Sequence, residues 1–311
     1  MKRTLCLFIA FAALLCAFSC THESEPKKTD IRKTAFSQLC AFYEGKHLES
    51  FLEAASLYAA GKDLVAYDCE GLLDESKSDA EYVLAYCFLK KSGHPLAEGI
   101  DIAGRCEKLA SAAASPAELS TRELFLTLAA IKLSGCGADF SAIADDLISR
   151  QDEISGGSYE YPQSGGVSHI SPENTAFSLM AYMTVRDDIR TAVLEDRLHD
   201  SALLYLGECI REDNTVLNAD GVSSSVATAR VLEALIICGV PQNGEISTSL
   251  TEAISRFFAV SNGVLYGCRA TMNAEAEKST ASELLFCMAS TLYGNPLVPE
   301  KQISASGTEK S

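Results

Sequence analysis

Histidines, cysteines and paired carboxylates are the residues of this chain whose types and spacing could do chemistry. The five histidines are His22, His47, His94, His169 and His199. No two stand four apart and no H-E-x-x-H run occurs, so a zinc site on one helix is not expected. His169 lies in SGGVSHISPEN with Ser168, Ser171 and Glu173, a set that could form a Ser–His–carboxylate relay. No G-x-S-x-G elbow accompanies it, and a solvated loop histidine is the simpler reading. The acidic pairs Asp145-Asp146 and Asp187-Asp188 stand in stretches that read as outer helix.

The twelve cysteines fall to nine if Cys6, Cys16 and Cys20 belong to a leader that is removed or modified. Nine is odd, so at least one thiol is unpaired or bonded to another chain. Cys40, Cys87, Cys209, Cys238 and Cys287 sit in apolar helical patterns, and no C-x-x-C spacing occurs. Largely reduced, buried cysteines are therefore expected rather than a metal site or a disulfide framework. Cys136 and Cys268, in Gly-rich surroundings, are the exceptions to expect.

The first residues, MKRTLCLFIAFAALLCAFSC, read as an export signal: a basic start at Lys2 and Arg3, then an apolar stretch too short to span a bilayer. The ending Ala17-Phe18-Ser19-Cys20 resembles a bacterial lipobox, with Ala17 and Phe18 departing from the usual residues. It implies cleavage at 1–19, a lipid on Cys20 and a tether over 20–32; cleavage by ordinary signal peptidase, with Cys20 incidental, is the alternative. Partnership with a membrane through that lipid is expected, at the surface of a bacterial cell. The chain carries 26 basic and 42 acidic residues, a net charge of −16, or −18 once Lys2 and Arg3 are removed. That balance argues against a nucleic-acid partner, which needs a basic footprint.

The elements that would position any site come from internal periodicity. Thr121, Thr175, Thr228 and Thr280, at steps of 54, 53 and 52 residues, each open an apolar helical run: TRELFLTLAAI, TAFSLMAYMTV, TARVLEALIIC and TASELLFCMAS. Threonine suits a helix start because its hydroxyl accepts from free N–H groups of the first turn. Two weaker runs open at Ser37 and Asp79. Between them lie amphipathic stretches with charged faces, His47 to Ala60 among them, and no alternating strand pattern of useful length. Inner apolar and outer charged helices predict an all-α domain, an α/α toroid of about six helix pairs over 33–295, with a polar tail over 296–311. The missing sixth outer helix after Gly294 leaves open how the ring closes.

From Thr121 to Tyr293 the chain resembles the prenyltransferase and squalene-cyclase repeat proteins, particularly secreted bacterial members of unknown activity. The carrying segments are Gln151 with Gly156-Gly157-Ser158-Tyr159, Pro172 to Ala176, Ser223 to Ala229, and Asn262 to Tyr266. That resemblance implies the toroid, but not the chemistry. The D-x-D-D acid of the cyclases, the zinc trio of the transferases and the C-G-E-Q thioester run of related toroids are all missing, and tryptophan is absent. No cofactor is expected.

In a toroid the inner helices run parallel, so the loops before them meet at one mouth. These loops would bring Tyr159, Tyr161, His169, Asp220, Tyr266 and Arg269 together as a ligand site, with Arg269 as the main cation against Glu173, Asp220 and Glu277. The leading expectation is an exported, lipid-anchored, non-catalytic protein that binds an unidentified ligand or protein. The alternative is an enzyme acting on an isoprenoid or a polysaccharide with non-standard residues.

Overall fold

The computed structural model describes residues 30–162 and 169–298. Cys20, Ser168 and the tail beyond Val298 lie outside the described residues. Eleven helices follow in chain order: α1 Ile31–Tyr43, α2 Phe51–Ala59, α3 Asp79–Lys91, α4 Ala103–Ala114, α5 Thr121–Ser134, α6 Ile143–Arg150, α7 Pro172–Ile189, a composite α8, α9 Ser225–Ile237, α10 Glu245–Ser255 and α11 Lys278–Tyr293. The composite α8 joins Ala192–Leu194, a π-helical turn Glu195–Ser201 and Ala202–Glu208.

Neighbour packing runs α2–α3–α5–α7–α9–α11 and returns from α11 to α2, so six inner helices close a ring. Helices α4, α6, α8 and α10 lie outside it, and the chain is an all-α α/α toroid. Inner helices are buried on nearly every side. In α9 eleven of thirteen residues are buried, which explains runs that look apolar all round.

The first two helices exchange the roles expected from sequence. The run containing Ser37 belongs to α1, an outer helix that packs on α11 and α10. Its Lys33, Ser37, Gln38 and Ala41 face solvent. The stretch within His47 to Ala60, expected outside, supplies the inner helix α2, in which Phe51 to Leu57 are all buried. The misleading residue is Glu53. Its carboxylate is fully buried but accepts from the Glu49 and Ser50 N–H groups at 2.7 and 3.2 Å, so it serves the helix start rather than solvent. The outer helix missing after Gly294 is therefore supplied by α1, from the other end of the chain. Between α2 and α3 the short turns Leu64–Ala66 and Glu70–Leu73 stand where an outer helix would be. Leu297, placed in the polar tail by sequence, is buried.

Serines, not threonines, cap five of the six inner helices. Ser50, Ser78, Ser120, Ser171 and Ser224 accept first-turn N–H groups of α2, α3, α5, α7 and α9. Thr175 and Thr228 lie in the opening turns, where each hydroxyl donates to its cap carbonyl, Ser171 or Ser224. Each also accepts from the chain before the helix: from Ser158 N–H at 2.8 Å and from Val216 N–H at 3.0 Å.

Strands appear where none was expected. Val216–Leu217 (β1) pairs with Ser223–Ser224 (β2), and Phe258–Ser261 (β3), Val264–Arg269 (β4) and Ala276–Glu277 (β5) form an antiparallel sheet in that order. The signal was the Asn262-Gly263 dipeptide. Both residues take positive φ, 52° and 78°, as a tight hairpin requires.

Candidate functional site

All six inner helices begin at one end of the ring. Lys278, opening α11, pairs with Glu49 ahead of α2 at 3.0 Å. Lys77, ahead of α3, donates to the Glu49 carbonyl at 2.6 Å. Glu81 of α3 faces Arg122 of α5 at 3.7 Å, and Thr121 of α5 donates to Asn174 of α7 at 3.2 Å. The Ser225 hydroxyl at the start of α9 donates to the Arg269 carbonyl, ahead of α11, at 2.7 Å.

The inner wall below this mouth holds a charged cluster. Arg230 of α9 is 4% exposed and donates through Nη1 to both oxygens of Glu233, at 2.8 and 3.1 Å. Its Nη2 closes on Glu283 of α11, and its guanidinium lies 5.2 Å from the centre of the Phe177 ring of α7. Glu173, in the first turn of α7, lies within the fields of Arg230 and Asp220. Burial pushes its carboxyl above the usual range; Arg230 opposes this and Asp220 adds to it. Burial likewise raises Glu233 against the pull of Arg230. Partial desolvation and repulsion from Arg230 lower Arg122. A carboxyl whose proton is bound more tightly than usual, within the field of a second carboxylate, has the direction of shift that suits a proton donor to a bound ligand.

The sequence-named residues stand in the loops and strands ahead of inner helices, in different settings. Tyr159 is half-buried and Tyr161 exposed. The Glu160 carbonyl between them accepts from Thr121 N–H, which puts the pair at the start of α5. His169 is exposed, with its carbonyl accepting from the Asn174 side chain. Ser171 is committed to capping α7 and is not the serine of a Ser–His relay. Asp220 stands in the exposed turn between β1 and β2, near Glu173. Arg269, at the end of β4, is tied to α9 through its carbonyl. Tyr266 points to the exposed outer face of the hairpin, with Val264. The cation acting on Glu173 is Arg230, where Arg269 was expected.

Arg230, Glu233 and Glu283 were missed because they sit inside the apolar runs. Their signal was a charge within an otherwise hydrophobic inner helix, a position that requires a partner. The Gln151…Gly156-Gly157 motif is structural: the Gln151 amide donates to the carbonyls of Gly156 and Arg197. Asp146, on the outer helix α6, is buried and pairs with the fully buried Arg150 at 2.7 Å.

Among the described residues one cysteine pair is oxidised, Cys106 with Cys136, and Cys268 is buried and free. Among the described residues no group of three or more His, Cys, Asp or Glu side chains gathers as for a metal ion. No helix among them is long and apolar enough to cross a membrane.

The chain matches no family model, and no curated protein matches it significantly. Its fold is similar to a solved structure from Salmonella enterica serovar Paratyphi A described as a possible member of the GH105 family. That likeness has a TM-score of 0.54 at 11% identity and covers 86% of this chain and 95% of that one. A polysaccharide lyase structure aligns with a TM-score of 0.47 at 10% identity, over 85% of this chain and 97% of that one.

Proposed function

We propose that the mouth of the ring is a carbohydrate site and that the protein acts on a polysaccharide-derived substrate. The observation that carries this is Glu173, whose carboxyl is pushed upward by burial and by the charge of Asp220, on a wall whose other charges, Arg230, Glu233 and Glu283, are locked together. Glycosidic cleavage uses such a pair: Glu173 would give its proton to the leaving oxygen, and Asp220 would draw the proton from a water. The fold neighbour described as a possible GH105 member is in keeping with a sugar substrate. The likeness to prenyltransferase and squalene-cyclase repeat proteins is a finer reading of the same toroid, supported by the repeated helix openings at Thr175 and Thr228.

A second reading, binding without catalysis, is favoured by the packing of the ring. Two cavities among the described residues lie at the opposite end, around Tyr86 and Lys90, and neither is lined by a residue of the mouth. Release of reducing ends from neutral and acidic polysaccharides separates the readings. The enzyme reading expects turnover that falls at least ~100-fold in Glu173→Gln. Saturable binding without turnover, lost in the same variant, supports binding alone. Neither turnover nor binding overturns the carbohydrate site.

Export and a lipid on Cys20 complete the proposal. Cys20→Ser is expected to move the protein from the membrane fraction to the soluble one. Unchanged membrane association in that variant overturns the anchor.

A further inference from the structure

At the end of the ring opposite the mouth, the last turns of α3 and α5 and the start of α4 surround a cavity of about 530 Å³. Three cysteines line it: Cys87 of α3, and Cys106 and Cys136, which are bonded to each other. The disulfide partners are half-exposed, whereas Cys87 forms part of the wall at 4% exposure. Lys90 and Lys91 line the same space. The other six described cysteines, Cys40 and Cys268 among them, do not line this cavity.

We propose that this cavity is a thiol–disulfide exchange site, with Cys87 as the third sulfur of the Cys106–Cys136 pair. The Cys87 thiolate attacks one sulfur of the bond and forms a new S–S bond to it. The old S–S bond breaks, and its electron pair leaves on the other sulfur, which takes up the proton Cys87 gave up. The number of disulfides is unchanged, so no oxidant or reductant is consumed. The outcome is a change of position: a thiol held in the wall is replaced by a half-exposed one at Cys106 or Cys136, open to thiols or disulfides arriving from solvent.

Burial raises the Cys87 thiol to about 11, while Lys91 and Lys90 favour its thiolate. The thiolate fraction, and with it the exchange rate, therefore rises about 100-fold between pH 7 and pH 9. The test uses the full chain, folded and free of oxygen, held at each pH, quenched with acid, alkylated and mapped by mass spectrometry. Expected at pH 9 are peptides joined through Cys87 to Cys106 or Cys136, with the displaced cysteine alkylated; Cys87→Ser retains only the original pair. If Cys87 stays alkylated and Cys106–Cys136 is the sole linkage throughout, the proposal is overturned. Links that spread to Cys40 or Cys268 signal unfolding and overturn it too. Should Cys87→Ser fail to fold, Cys87→Ala provides the same control.

Discussion

Arg230 of α9 and Glu283 of α11 meet across the seam between neighbouring inner helices, and the same guanidinium holds Glu233 on its own helix. One cation thus serves two carboxyl groups, one of them fully buried. Removing it as Arg230→Met leaves Glu233 buried without a partner. A loss of about 3–5 kcal/mol is expected in chemical denaturation. Adding Glu233→Leu and Glu283→Leu should restore most of it, since apolar groups of similar volume replace a buried ion cluster at little cost. If the triple variant is no more stable than Arg230→Met, desolvation is not the reason for the loss.

Thr175 and Thr228 each hold the chain that leads into an inner helix. Thr175→Val keeps the shape but leaves the Ser158 N–H without its acceptor, and Thr228→Val does the same to Val216. Each is expected to cost about 1–3 kcal/mol, the range for a buried donor left unpaired. Ser171→Ala removes a helix cap instead, for about 1 kcal/mol. Equal small losses in all three variants would mean that the threonine clips add nothing beyond helix propensity.

How far the sequence shows these features depends on burial. Helices α5, α7, α9 and α11 were legible because their neighbours bury them on nearly every side, and such runs stay apolar through two or three turns. The roles of α1 and α2 were not, because Glu53 reads as solvent-facing while its bonds go to its own helix start and to Ser282 of α11. Closure of the ring, α11 against α2 with α1 outside, depends on contacts between segments far apart in the chain, which no local pattern reports. At the mouth, Asp220 was legible as a loop residue before an inner helix. Arg230 and Glu283 come together only through the pairing of α9 with α11, so spacing along the chain could not join them.

Glu173 sets a pH dependence whose sign follows from its raised carboxyl. The folded protein binds this proton more tightly than the unfolded chain does. The stability contributed by that proton is complete below the unfolded value and is lost as pH rises through the folded one. Glu173→Gln removes the titration, so the Tm of the variant relative to the parent should increase as pH rises through that window and then level off. A difference that is flat from pH 4 to pH 8 would refute the raised carboxyl. If the mouth is catalytic, the same titration should appear as loss of turnover on the alkaline side.

Gly156 and Gly157 separate two reasons for a glycine. A Cβ on Gly157 would meet Ile170 Cγ2 at 2.4 Å and the Tyr205 ring at 2.9 Å, which are side chains able to shift. Gly157→Ala is expected to cost about 1–3 kcal/mol, as overpacking does. Gly156 has φ +79°, and its Cβ would stand 2.6 Å from the Ser201 carbonyl oxygen, which is backbone in the π-helical turn of α8. Gly156→Ala therefore adds left-handed strain of about 1 kcal/mol to a contact that side-chain motion cannot relieve. The expected order in chemical denaturation is parent, then Gly157→Ala, then Gly156→Ala. Trimming Tyr205 to Leu should recover part of the loss in Gly157→Ala and none in Gly156→Ala, because only the first clash involves that ring. Recovery in both variants would show that the turn of α8 moves as a unit, and that the backbone contact at Ser201 is not the limit.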